Sequence, residues 1–259
     1  MRKLLSYGQY ITEKNTPEFG NLNSGFEYNN MIDYTLLDNN ASDQDITDLC
    51  EKASRFGTKS VCVMPKHVKL SSDLLKESEV LVCTVVDFPG GNKDSNFKVN
   101  ETKQVINDGA DEVDMVLNYN SLIENDNIEE LTDEVNALSI ICHGKLNKNN
   151  EDVVLKVIVE SGLLTEEQTE KATEICLAAE ADFIKTSTGK VSVGAELDKV
   201  RIMKSIIDEN HSKMEIKVSG GVRTLEQIKK YGQLGATRFG MGYGSVDTLN
   251  GLESKNSGY

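Results

Sequence analysis

No run of apolar residues in this 259-residue sequence approaches the roughly 18 that a membrane-spanning helix needs, so no spanning segment is expected. The start, Met1-Arg-Lys-Leu-Leu-Ser-Tyr-Gly8, carries two cations but no apolar stretch of signal-peptide length. The five cysteines, Cys50, Cys62, Cys83, Cys142 and Cys176, are odd in number and form no CxxC pair. They read as reduced thiols in a cytoplasmic protein rather than as a disulfide framework or a zinc site. Positive charge is in short supply: 28 Lys and Arg face 42 Asp and Glu, for a net charge of −14. General nucleic-acid binding runs on neutralising phosphates with cations, so it is not expected, while a few local cations suffice for a small anion. Histidine occurs three times, at His67, His143 and His211, in segments that read as helix or loop. The serine nucleophile elbow, the HExxH zinc motif and the Walker phosphate loop are all missing.

What the sequence does have is alternation. Short β-type runs recur eight times, at Met31–Leu36, Ser60–Met64, Val80–Val86, Glu112–Leu117, Val153–Val159, Asp182–Thr186, Glu215–Val218 and Thr237–Gly240. Segments of helical character follow them, at Asp43–Phe56, Pro65–Ser78, Asp94–Asp108, Ser121–Leu146, Thr165–Ala179, Ala195–Asn210, Thr224–Tyr231 and beyond Gly244. Thr165-Glu-Glu-Gln168 predicts a capping box, Asp43 and Thr224 are the expected caps of their helices, and Gly109 and Gly235 stand where helix should give way to strand. Several strands are nearly continuous apolar runs, as buried parallel strands are. Eight such units in about 250 residues predict a (β/α)8 TIM barrel. An open doubly wound sheet would be expected to show GxGxxG after its first strand, where this sequence has Leu37-Asp-Asn-Asn-Ala-Ser42. The expected organisation is a polar N-terminal extension over residues 1–30 with one short helix near Leu4–Thr12, a barrel over 31–252, and a tail over 253–259.

In a barrel the chemistry sits at the C-terminal strand ends. Five charged residues lie in the apolar strand runs: Asp33, Asp114, Lys156, Lys185 and Lys217. One such charge is ordinarily a structural ion pair; five on five strands suggest a shared, hydrogen-bonded site. A desolvated lysine beside another cation sheds its proton near neutrality and attacks carbonyl carbon to form a Schiff base. An aspartate held by lysine then supplies the acid and base. Two glycine-rich stretches, Ser219-Gly-Gly-Val-Arg-Thr224 and Phe239-Gly-Met-Gly-Tyr-Gly-Ser245, follow the seventh and eighth strands, where barrels commonly bind phosphate. Lys190, after the sixth strand, adds a compact charge. These residues predict a phosphate-carrying carbonyl substrate on a Schiff-base lysine.

From Met31 to Gly240 the chain resembles the 2-deoxyribose-5-phosphate aldolases, class I aldolases built on a (β/α)8 barrel. The resemblance is strongest in Gly109-Ala-Asp-Glu-Val-Asp-Met-Val116, Leu155-Lys-Val-Ile-Val-Glu160, Ala181-Asp-Phe-Ile-Lys-Thr-Ser-Thr-Gly-Lys190 and Lys217-Val-Ser-Gly-Gly-Val-Arg-Thr224, and extends to Asp87-Phe-Pro-Gly-Gly-Asn92. It implies that Lys185 forms the Schiff base, that Lys217 lowers its pKa and that Asp114 is the acid/base. It implies supporting roles for Lys156 and Asp33, a substrate contact for Thr35, and a phosphate cradle of Gly189, Lys190, Gly220, Gly221 and Gly240. The implied reaction is reversible cleavage of 2-deoxy-D-ribose 5-phosphate to D-glyceraldehyde 3-phosphate and acetaldehyde, in cytoplasmic deoxynucleoside catabolism. No metal or organic cofactor is implied, the partner is a small sugar phosphate, and a homodimer is left open. Other phosphate-handling Schiff-base aldolases or transaldolases, and a non-catalytic sugar-phosphate sensor, are the alternatives. The sequence departs from the family at Met241-Gly-Tyr-Gly-Ser245, where the family often has a Ser-Ser pair. Some members end in a tyrosine thought to assist proton transfer, as Tyr259 would here.

Overall fold

The computed structural model describes residues 25–253; the short helix expected near Leu4–Thr12 and the terminal Tyr259 lie outside them. Eight parallel strands close into a barrel in chain order, with β8 pairing back onto β1. They are β1 (Ile32–Leu36), β2 (Ser60–Val63), β3 (Leu81–Val86), β4 (Glu112–Val116), β5 (Val154–Ile158), β6 (Phe183–Lys185), β7 (Glu215–Val218) and β8 (Ala236–Gly242). Their helices are α1 (Asp43–Phe56), α2 (Val68–Leu74), α3 (Ser95–Asn107), α4 (Tyr119–Asn125), α5 (Ile128–His143), α6 (Glu166–Ala178), α7 (Leu197–Glu209), α8 (Leu225–Gly232) and α9 (Tyr243–Leu249).

The strands read as apolar runs because both their faces are covered. Val61, Val82, Val113, Leu155, Ile184 and Ile216 point outward and pack under the helices, all essentially inaccessible to water. Side chains alternate along a strand, so the residues between them point into the barrel. That set includes Asp33, Cys62, Cys83, Asp114, Lys156 and Lys217, which is why the charges interrupt the apolar runs.

The helix signals hold at Thr165 and Thr224, where the threonine hydroxyl accepts the N–H of Gln168 or Gln227 and the glutamine side chain reaches back to the cap. The cap of α1 is Ser42 rather than Asp43. Ser42 and Asp45 form the capping box, and Asp43 falls in the first turn, where an acid favours the helix dipole. The single helix expected over Ser121–Leu146 is two, broken at Asp126, which takes a left-handed φ of 53°. Gly109 and Gly235 sit just past helix ends at φ of 101° and 97°, a region open to glycine.

The helix expected over Pro65–Ser78 is a 3-10 turn, Pro65–His67, followed by α2, and two further differences lie at the ends of the barrel. Residues Gly25–Met31 form a 3-10 helix that contributes to the base of the barrel: Tyr28 is buried, and the Asn29 amide donates to the Phe56 carbonyl and to Asn250, both at 2.8 Å. The stretch Phe239–Gly242 is not a loop. It continues β8, and α9 starts at Tyr243 without an intervening turn.

Candidate active site

β4 through β7 bring Asp114, Lys156, Lys185 and Lys217 together inside the barrel. The register makes Asp114 the partner of Lys156, and Lys185 the partner of Lys217. Asp114 Oδ1 accepts from Lys156 Nζ at 2.9 Å and from the Cys83 thiol at 3.1 Å. Its Oδ2 accepts from Lys185 Nζ and Lys217 Nζ, both at 2.6 Å. Lys217 also pairs with Asp33, whose other oxygen takes Arg238 at 2.8 Å. Glu112 ties Arg238 to Lys156, at 2.8 and 2.7 Å. Thr35, two residues beyond Asp33, stands above this layer with its hydroxyl bonded to the Asp33 carbonyl at 2.8 Å.

The network thus holds four cations, Lys156, Lys185, Lys217 and Arg238, against three carboxylates, Asp33, Glu112 and Asp114. Burial opposes ionisation of every one of the carboxylates. At Asp114 the attraction of Lys156, Lys185 and Lys217 outweighs it and holds the carboxyl far below its ordinary range. Arg238 and the lysines do the same for Asp33, and Arg238 and Lys156 for Glu112. Burial likewise disfavours the charged form of Lys217, but Asp114 and Asp33 override it and push Lys217 well above the usual lysine value. Lys217 is therefore a fixed ammonium beside Lys185. Lys156 and Lys217 are fully enclosed, whereas Lys185 retains 3% exposure.

Three of these participants, Glu112, Arg238 and Cys83, escaped the sequence reading. The signal for the first two was the same as for the others: Glu112 precedes Asp114 by two residues and so shares its face, and Arg238 sits between Thr237 and the buried Phe239. Among the described residues, two sets of ligand-type atoms lie within 4.8 Å of one another, Cys62 with Cys83 and Asp114, and Asp33 with Cys83 and Glu112. In both sets the carboxylates are already taken by ammonium or guanidinium groups. The thiols of Cys62 and Cys83, together with Leu37 and Val85, form an apolar wall of the interior beside Met64 and Phe88.

Above the network, a cavity of about 430 Å³ opens between Thr35, Leu37, Met64, Phe88, Lys190 and Tyr243. The Lys190 ammonium reaches across it to the Leu37 carbonyl at 3.2 Å. A larger groove of about 690 Å³, bounded by Ser95 and carboxylates including Asp126, Glu129 and Asp133, contains none of the strand-end residues. Its negative lining suits neither a phosphate nor an amine nucleophile.

The expected cradle divides in two. Gly189, Gly220 and Gly221 lie in the loops after β6 and β7 with positive φ. At Gly220 a side chain is excluded sterically as well, since a Cβ would come within 2.9 Å of Ser187 Cβ, and the neighbouring Gly194 is pressed against the Gly220 carbonyl. Gly240 instead lies within β8, facing Ser219 and the Lys217 side chain, where a Cβ would come to 2.9 and 3.4 Å. The close approach is to Ser219, so the missing side chain makes room for the start of the loop after β7.

The family profile described as DeoC/LacD family aldolase matches residues 29–246. The chain is 42% identical over 229 residues to the deoxyribose-phosphate aldolase of Mycoplasmoides pirum, covering 88% of this chain and 99% of that protein. It is 42% identical over 224 residues to the deoxyribose-phosphate aldolase of Carboxydothermus hydrogenoformans, covering 86% and 94%. Among solved structures it matches the tetrameric deoxyribose phosphate aldolase of Aeropyrum pernix with a TM-score of 0.76 at 27% identity, covering 88% of this chain and 92% of the other.

Proposed function

The chain belongs to the DeoC/LacD aldolase family, and from that premise we propose that it reversibly cleaves 2-deoxy-D-ribose 5-phosphate to D-glyceraldehyde 3-phosphate and acetaldehyde through a Schiff base on Lys185. The observation that carries this reading is the sharing of one Asp114 oxygen by Lys185 and Lys217. Two ammonium groups on one buried oxygen repel each other, and the interior holds one cation too many. Loss of the Lys185 proton leaves three cations against three carboxylates. Lys217, doubly held by Asp33 and Asp114, keeps its own.

The free Lys185 amine adds to the C1 aldehyde of the open-chain sugar, and loss of water gives an iminium. Removal of the proton from the C3 hydroxyl drives that electron pair into a C3 carbonyl as the C2–C3 bond breaks, and the iminium takes up the released pair as an enamine. D-Glyceraldehyde 3-phosphate leaves. Protonation of the enamine at C2 and addition of water release acetaldehyde and return the lysine. Asp114 is the acid and base for these transfers, Lys156 and Asp33 hold the charges around it, and Thr35 meets the sugar. Lys190 and the backbone of Gly189, Gly220 and Gly221 take the phosphate. Electrons and protons are carried by the lysine and the aspartate, so the reading calls for no metal or organic cofactor. Among the described residues no helix is long and apolar enough to cross a membrane, and the substrate is a small anion.

The test is borohydride reduction in the presence of deoxyribose 5-phosphate, followed by peptide mass spectrometry. The expected product is a stable adduct on Lys185. An adduct on Lys156 or Lys217 overturns the assignment of roles, and the lack of any adduct overturns the Schiff-base route.

A further inference from the structure

One buried acid near the mouth has no part in the reaction just described. Glu160 follows β5 and is fully enclosed, in a left-handed backbone conformation (φ 50°) that side-chain-bearing residues seldom adopt. Its hydrogen bonds go to a single residue of the neighbouring loop, Thr188, while the charge of Lys185 acts on it from a greater distance. Glu160 Oε2 accepts from the Thr188 hydroxyl at 2.5 Å and from the Thr188 N–H at 3.1 Å. The hydroxyl oxygen of Thr188 accepts in turn from the Lys190 N–H at 3.1 Å. Next to this clamp, the Ser161 N–H donates to the Thr186 carbonyl at 2.7 Å. The loop after β6 is thereby fastened to the loop after β5 by one carboxylate and one backbone bond.

Lys185 has a separate anchorage. It is held in the ladder between Ile158 and Lys217, and its ammonium is held by Asp114. The residues beyond it, Gly189 with φ 76° and Lys190 at the cavity, have no ladder of their own. A carboxylate suits the task because one ionised oxygen accepts two donors at once, with stronger bonds than a neutral acceptor makes.

We propose that Glu160 is a positioning residue for the anionic end of the substrate, fixing Lys190 through Thr188 and acting on phosphate affinity rather than on amine chemistry. The proposal rests on the reading of Lys190 as a phosphate ligand. It sets Glu160 apart from the Asp114 network, although both lie in the same barrel mouth.

Steady-state kinetics with 2-deoxyribose 5-phosphate and with unphosphorylated 2-deoxyribose test it, on the wild type, Glu160→Ala, Glu160→Gln and Thr188→Val. Glu160→Ala and Thr188→Val are expected to raise KM for the phosphorylated sugar by about tenfold or more, the equivalent of one charge-assisted hydrogen bond. Their kcat/KM for the unphosphorylated sugar, and borohydride trapping of acetaldehyde on Lys185, stay within about twofold of wild type. Glu160→Gln, whose amide oxygen still accepts from Thr188, recovers most of the loss. Should the alanine variant not fold, the near-isosteric Thr188→Val carries the comparison by itself. Equal losses on both sugars, or an unchanged KM, overturn the assignment of Glu160 alone. A wild-type protein with no preference for the phosphorylated sugar overturns the phosphate reading, and this proposal with it.

Discussion

Lys185 and Lys217 stand directly opposite each other on neighbouring strands and donate to the same oxygen of Asp114 at the same distance, 2.6 Å. The two lysines are chemically alike and differ in what else holds them. Lys217 has Asp33 as a second ion-pair partner and no exposure to water; Lys185 pairs with Asp114 and keeps 3% exposure. A fixed positive charge beside Lys185 is what its proposed role as the Schiff-base amine calls for.

Replacing Lys217 with leucine removes that charge. Adduct formation on Lys185 at pH 7 is expected to fall by about tenfold or more, and to recover in part as the medium is made alkaline. Borohydride trapping rates across a pH series measure it. A rate at pH 7 equal to that of the wild type would show that Lys217 has no hold on the nucleophile.

Arg238 is the sole guanidinium in the interior network and is shared by Asp33 and Glu112. Arg238→Met leaves two buried carboxylates short of a partner, a change that costs about 3–5 kcal/mol where such pairs have been broken. Adding Glu112→Gln to the same chain should return part of it. Urea unfolding of the single and double variants gives both numbers, and a double variant less stable than the single one refutes the pairing.

The pH dependence of stability carries a definite sign. Asp33, Glu112 and Asp114 are held below the ordinary carboxyl range, whereas in the unfolded chain they titrate near pH 4. Their contribution is complete above that pH and drains away as the medium becomes more acid, by up to about 1.4 kcal/mol per pH unit for each group. Lys156 and Lys217 are shifted upward, so theirs is complete below about pH 10 and is lost above it. Unfolding free energies between pH 3 and 6 should fall less steeply in Asp33→Asn than in the wild type. An identical slope would mean that Asp33 titrates alike in both states.

Much of this was legible in the sequence because strand and helix announce themselves locally. β7 was read residue for residue, Thr165 and Thr224 cap where their spacing says, and the lysines of β5, β6 and β7 stand out as charges among apolar neighbours. What was harder to read depends on partners far along the chain. Glu112 opens its strand and resembles a surface-facing start until the register aims it inward at Arg238. Glu160 ends an apolar run, and only the fold reveals that its carboxylate meets Thr188 rather than water. Gly240 stands in a glycine-rich stretch that resembles a loop, because glycine is a turn residue by habit, while here its missing side chain lets β8 pass close to Ser219. Asp43 and Ser42 compete for one cap, and hydroxyl against carboxylate is a choice that spacing alone does not make.

The partners of Asp114 lie 31, 42, 71 and 103 positions away along the chain, and Arg238 reaches Asp33 across 205. No hairpin, no single helix–strand unit and no half of the barrel contains the whole constellation. Each bond in it must wait for long loops to close, which is the slow and entropically costly part of forming such a topology. The proposed Schiff-base site is therefore a report on ring closure itself: its set of charges is complete only once the last strand has met the first.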